Sequence, residues 1–139
     1  MRVKYEIRRN YPHMIGEDRL VWERFIKEKP GFFDEVEYDV HVGEGMSMPD
    51  NWDDKDMKWA KELTQKRIDV IGFRGNEIIL VEIKRRVNLA TLGQVLGYKF
   101  LYEREENLVG KTKSIVIAAV ADVDDRDVLG HYDIKLFIA

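Results

Sequence analysis

Three charged residues stand where an apolar pattern leaves little room for them. The stretch RIDVIGFRGNEIILVEIKRR, Arg67 to Arg86, reads as two β-strands joined at Gly75-Asn76. That pair makes a good two-residue turn, because glycine takes positive φ without steric cost and asparagine tolerates it. With this turn Arg74 faces Glu77, Val70 faces Val81, Asp69 faces Glu82 and Arg67 faces Lys84. Strand alternation puts Glu82 and Lys84 on one face. Asp69 joins them there, while Val70, Val81 and Ile83 point the other way, into the core. Directly opposed Cβ atoms lie about 4.5–5.5 Å apart, and like charges at that spacing destabilise a sheet. Burial sharpens the conflict. Two carboxylates so placed ask for a cation, and a hard divalent ion such as Mg²⁺ suits them, since it takes carboxylate and carbonyl oxygens and keeps several waters. Lys84, one side chain away, could hold or deprotonate a water and stabilise negative charge. Such a set can hydrolyse a phosphodiester. A solvated strand face carrying Glu and Lys is the competing reading. The opposing Asp and the apolar surroundings favour the site.

The rest of the chain supplies elements to position this hairpin. GEDRLVWERFIKEKPG, from Gly16, reads as a helix with an apolar stripe through Leu20, Val21 and Phe25, stopped by Pro30-Gly31. FFDEVEYDVHVG alternates through Val36, Tyr38, Val40 and Val42 as a strand. A polar loop follows and leads into a short helix, Asp54–Gln65. Its acids Asp50, Asp53, Asp54 and Asp56 lack the Gly and the terminal Glu of a calcium loop, so they read as a solvated loop and helix start. After the hairpin, Asn88 caps a second long helix to Asn107. Gly93 and Gly97, four apart, suggest close helix-to-sheet approach. KSIVIAAVAD is a buried central strand, DVDDRDV a turn or short helix, and HYDIKLFIA a last strand. The predicted fold is α/β, a mixed central sheet with helices on its faces.

Asp69, then EIK at Glu82–Lys84 after a short β-turn-β, resembles the core of the PD-(D/E)XK nuclease superfamily, whose restriction-endonuclease-like αβββαβ order is also the order above. GEDRLVWERF resembles the first helix of archaeal Holliday-junction resolvases. QVLGY, Gln94 to Tyr98, is similar to the QxxxY motif of RecB-type and Cas4-like nucleases. The resemblance implies Mg²⁺ or Mn²⁺ bound by Asp69, Glu82 and the backbone carbonyl of Ile83. Glu17 would bind through water or complete a second site; Glu23 is the competing helix acid. Lys84 would orient the attacking water. Gln94 and Tyr98 share a helix face and would bracket the site and touch substrate or Lys84. Ile68 stands where the namesake proline would be, and without cysteine no iron–sulfur cluster of the Cas4 kind can form.

The 139 residues suggest one domain, 1–139. The chain is 45% hydrophobic, enough for a core, and 35% charged. Absent cysteine excludes disulfides and thiolate sites. No apolar run approaches a membrane span and the N-terminus lacks the apolar core of a signal peptide, so an intracellular, cytoplasmic protein is expected. A net charge of −3 is no general footprint for nucleic acid, but a local basic patch can persist within an acidic total. Arg8-Arg9, Arg85-Arg86 and Lys111/Lys113 are candidate phosphate contacts. His13, His41 and His131 have no metal-like spacing. Trp22, Trp52 and Trp59 read as packing residues, with Trp52 able to stack on a base. The resulting expectation is a metal-dependent deoxyribonuclease of the stand-alone RecB/Cas4-like type. A junction-resolving endonuclease, which would need a symmetric homodimer to cut two strands, and a non-catalytic nucleic-acid-binding module on the same fold are the alternatives.

Overall fold

The computed structural model describes residues 1–46, 49 and 51–139; Asp50, one of the loop acids, lies outside them. In chain order the elements are β1 (Val3–Lys4), α1 (Gly16–Glu28), β2 (Glu35–Val42), α2 (Asp54–Thr64), β3 (Lys66–Arg74), β4 (Glu77–Arg86), α3 (Leu89–Glu105), β5 (Thr112–Val120), α4 (Val123–His131) and β6 (Lys135–Ile138). The turn between β3 and β4 is the two-residue one expected. Gly75 takes φ +58°, its N–H donates to Asp34 Oδ2 at 2.7 Å, and Arg74 pairs with Glu77.

All the strands join one sheet in the order β1-β2-β3-β4-β5-β6. Neighbours are antiparallel as far as β4, then parallel from β4 to β5 and from β5 to β6. α1 covers one face of β4 and β5, while α3 and α4 cover the other. α1 buries Val21, Trp22, Phe25 and Ile26 and ends where Lys29 donates back to Phe25 O at 2.9 Å, just before Pro30. α3 begins with a reciprocal cap: Asn88 Oδ1 accepts from Thr91 N and Thr91 Oγ1 accepts from Asn88 N, both at 3.1 Å, satisfying two otherwise orphaned donors. Asp53 caps α2 by accepting from Asp56 N at 2.7 Å, so these loop acids serve a helix start. Among the described residues no helix is long and apolar enough to cross a membrane.

The pleat changes phase inside the sheet. Val36 and Tyr38 of β2 pack on the α1 side, yet Val40 and Val42 pack on the α3 side. β3 does the same, with Val70 on the α1 side and Ile68 on the α3 side. The strands stay in register through Tyr38↔Val70 and Val40↔Ile68. The reset therefore falls at Asp39 and Asp69. Asp39 has φ +51°, a left-handed conformation uncommon for a residue other than glycine.

Gly72 marks the tightest packing on the α1 side, where an added Cβ would run into the ring of Phe33. Phe33 is itself buried against Tyr5. Overpacking of this kind costs about 1–3 kcal/mol. Gly72→Ala is expected to lower the denaturation midpoint accordingly; an unchanged midpoint in a urea melt would show that Phe33 swings aside freely. Gly93 and Gly97 behave differently from expectation. A Cβ on either would meet nothing within 4 Å, because both face an open groove beside Gln94 and Tyr98 rather than the sheet.

Candidate active site

The phase reset in β3 opens a gap that a side chain fills. The β3–β4 ladder runs from Arg74↔Glu77 to Val70↔Val81 and goes no further. Beyond it the N–H of Ile83 donates to the carboxylate of Asp69, at 2.8 Å to Oδ2. A side-chain oxygen thus stands in for a main-chain acceptor, and Asp69 is fixed against β4. The expected facing of Arg67 and Lys84 does not occur. Past the reset β3 pairs with β2 alone, where Arg67 sits opposite His41 and 3.7 Å from Asp39 Oδ1.

Asp69 and Glu82 meet as the turn register implies. Their carboxyl groups lie close enough to shift one another, and Glu82 is only 7% exposed. Lys84 Nζ lies 3.4 Å from Glu82 Oε1. Burial pushes the Glu82 carboxyl up to about 8, helped by the charge of Asp69 and opposed by Lys84. Burial likewise raises Asp69, to about 6, against the pull of the Ile83 N–H and Lys84. Two acids pushed above the ordinary carboxylate range, Glu82 past neutrality and Asp69 to just below it, are a pair that lacks positive charge. Lys84 supplies part of it.

From the α3 side, Tyr98 reaches the same place. Its hydroxyl is held protonated by burial first and then by the negative charge of Glu82 and Asp69, with Gln94 beside it. The four-residue spacing on one helix face brings the two together. From the α1 side the nearest acid is Asp18. Burial raises its carboxyl, Lys84 lowers it and Glu17 raises it, and Asp18 in turn acts on Asp69. The two acids weighed from sequence are engaged elsewhere: Glu17 pairs with Arg85 Nε at 2.7 Å on the exposed surface, and Glu23 with Arg19 Nε at 2.8 Å. Successive helix residues turn by about 100°, so Glu17 and Asp18 cannot both face the sheet. Asp18 precedes Val21, Trp22 and Phe25 by three, four and seven positions, which puts it in line with the buried stripe at the exposed start of the helix. That spacing was a sequence signal for Asp18.

Arg86 ends β4 opposite Val120 and lies near Asp125 of α4, whose carboxyl is raised by desolvation and by Asp122 and Asp124, a rise that Arg86 partly offsets. The structure also gathers residues with no sequence signal. His13 and His41 approach one carboxylate oxygen of Asp39, their Nε2 atoms 3.6 and 3.4 Å from Oδ2.

The donor set suits a hard divalent ion. Among the described residues no group of three or more imidazole and carboxylate side chains is arranged to hold a metal. A seat built on Asp69 and Glu82 would therefore draw its other ligands from backbone and water, as Mg²⁺ tolerates and a structural Zn²⁺ site does not.

No family model matches the chain, and no curated protein matches it. Among solved structures it is similar to a repair endonuclease from Pyrococcus abyssi, with a TM-score of 0.52 at 15% identity. The match covers 94% of this chain and 49% of that one, so the chain spans about half the length of the endonuclease. The fold is restriction-endonuclease-like. A second similar structure, a protein of unknown function, aligns over 86% of this chain and 55% of its own at 16% identity and a TM-score of 0.46. In the restriction-endonuclease-like architecture found here, the mixed sheet carries Asp69, Glu82 and Lys84 at its split, α1 brings Asp18 and α3 brings Gln94 and Tyr98.

Proposed function

We propose that this chain is a metal-dependent nuclease that hydrolyses DNA phosphodiester bonds, of the PD-(D/E)XK kind with a RecB/Cas4-like QxxxY helix. The observation that carries the reading is the juxtaposition of two carboxyl groups, half-buried Asp69 and buried Glu82, with Lys84 3.4 Å from Glu82. A purely structural site has no use for that arrangement, because replacing buried charges by apolar residues is often neutral or stabilising. Asp69, Glu82 and the Ile83 carbonyl would hold Mg²⁺ or Mn²⁺. When bound, the ion would supply Lewis-acid stabilisation of the phosphate's charge.

The remaining roles belong to the chain. Asp69 is held by the Ile83 N–H, so its free oxygen is aimed without loss of freedom. Lys84 orients the attacking water and neutralises charge that grows on the phosphoryl oxygens. Water oxygen bonds to phosphorus, the bond to the 3′-oxygen breaks, and that oxygen takes a proton, leaving a 5′-phosphate. Tyr98, kept neutral, donates its hydroxyl towards the substrate, and Gln94 positions it. Arg86 offers a phosphate contact at the end of β4.

Labelled single-stranded, duplex and four-way-junction DNA, incubated with Mg²⁺, Mn²⁺ or EDTA beside Asp69→Ala and Lys84→Ala, tests the reading. Cleavage that needs metal and disappears in both variants is expected. Tight binding without cleavage on every substrate would overturn it in favour of a binding module, and preference for the junction would point to a resolvase. The helix acids separate in the same assay. Asp18→Asn is expected to reduce the cleavage rate at least tenfold, while Glu17→Gln stays within about threefold of wild type, since one carboxylate near the reacting centre carries roughly 1–2 kcal/mol. The reverse order of the two variants would return the role to Glu17.

A further inference from the structure

The outer edge of the sheet opens into a second cleft at the other end of β5. β6 pairs with β5 only from Ile115↔Lys135 to Ala118↔Ile138, so Thr112–Ser114 has no strand beside it there. A cleft of about 410 Å³ occupies that position, a volume within the range of small-molecule sites. It begins beside Ile79, three residues down β4 from Glu82, which at strand rise is about 10 Å. Tyr98 of α3 serves the metal seat, and its neighbour Lys99 lines the cleft.

Three features define what fits. Cations converge from four elements: Arg74 from β3, Lys99 from α3, Lys113 from β5 and Lys135 from β6. Glu77 holds Lys113 at 2.7 Å, and Asp133 is the acid in the lining, so positive charge remains in excess. The Arg74 guanidinium lies 5.0 Å from the centre of the Phe32 ring, and the Lys135 ammonium 5.0 Å from that of Phe137. Such contacts hold a cation in place while leaving its N–H donors free. Finally, Ser114 is 7% exposed and its Oγ has no hydrogen-bond partner, although it forms part of the cleft wall. An unmade buried hydrogen bond costs on the order of 1–3 kcal/mol, and a polar ligand atom would recover it.

A bare anion would leave the apolar side of this cleft unused, and an apolar ligand would strip water from its cations without compensation. We propose that the cleft binds a nucleoside 5′-phosphate, free or as the terminal unit of a strand. The phosphate sits among Lys99, Lys113 and Lys135, the base against the Phe32–Phe137 side, and Ser114 Oγ bonds to a polar ligand atom. This assignment stands whether or not the Asp69–Glu82 pair is a nuclease centre.

Calorimetric titration with dAMP in EDTA tests it. Saturable one-to-one binding is expected, at least tenfold tighter than for inorganic phosphate or adenosine. Lys99→Glu combined with Lys135→Glu should weaken it at least tenfold, and Ser114→Ala, which leaves the apolar packing in place, at least threefold. Asp69→Asn should leave it unchanged, separating this cleft from the metal seat. A 5′-phosphorylated tetranucleotide that binds tighter than dAMP identifies a strand end as the ligand; equal or weaker binding identifies the free nucleotide. No saturable binding of either probe, dAMP no tighter than phosphate, or loss of binding in Asp69→Asn but not in Ser114→Ala would overturn the proposal.

Discussion

Glu82→Gln is expected to abolish metal-dependent cleavage and, in EDTA, to melt at a higher temperature than the wild type. Loss of function accompanied by a gain in stability distinguishes a functional carboxylate from a structural one. Glu82 is buried against Asp69, and its ionised form is opposed first by burial and then by the Asp69 charge. Glutamine keeps the shape, needs no proton to enter the site and offers an amide N–H to the Asp69 carboxylate. The lost contact with Lys84, at 3.4 Å, involves a partly exposed ammonium that water can solvate instead. At neutral pH a carboxyl raised to about 8 must take up a proton on folding, a cost that glutamine avoids and that outweighs the loss, by on the order of 1 kcal/mol or more, or a few degrees in Tm. Metal reverses the ranking. A ligand present at a hundred times its Kd stabilises the folded state by about 2.7 kcal/mol, so Mn²⁺ should raise the Tm of the wild type and leave Glu82→Gln where it was. Scanning calorimetry of both proteins with and without Mn²⁺ reads all four states. Equal metal-induced shifts in the two proteins would remove Glu82 from the ligand set.

The turn carried much of this site in the sequence. Once Gly75-Asn76 is taken as a two-residue loop, the pairs Arg74↔Glu77 and Val70↔Val81 follow and are found. The same arithmetic extended to Arg67 and Lys84 fails, because alternation assumes an unbroken pleat. Asp39 at φ +51° and the hydrogen bond that the Ile83 N–H donates to the Asp69 side chain reset the pleat, and no apolar pattern announces either. Aspartate tolerates the left-handed region better than most residues, but that tolerance does not say when it is used. Asp18 was legible in principle, since it continues the stripe of Val21, Trp22 and Phe25. The more prominent Glu17 at the helix start masked it. The approach of His13 and His41 to Asp39 could not be read, because the fold alone brings the His13 loop to β2. DVDDRDV, a turn or short helix by sequence, is the start of α4, capped by Asp122 accepting from Asp125 N at 2.8 Å.

Lys84→Ala is expected to reduce cleavage by about 10²–10³, the effect of removing one preorganised charge from a reacting centre, while keeping the metal-induced rise in Tm. Lys84 reaches Glu82 at 3.4 Å and lowers the carboxyls of both Asp69 and Asp18, so it is the cation shared by all three acids. Without it the metal-free protein should be less stable than wild type, the opposite of Glu82→Gln, because the carboxylates lose their nearest positive charge. A divalent ion would then face less competing positive charge and bind at least as tightly. The two variants thus separate the roles of carboxylate and ammonium: one loses metal and activity together, the other loses activity alone. Lys84→Arg should not restore the rate, because a planar, more weakly hydrated guanidinium does not present the compact charge of an ammonium to a water. Single-turnover cleavage with saturating Mn²⁺ isolates the chemical step from binding. A Lys84→Ala rate within threefold of wild type would move the water-orienting role to another donor, with Tyr98 the nearest on α3.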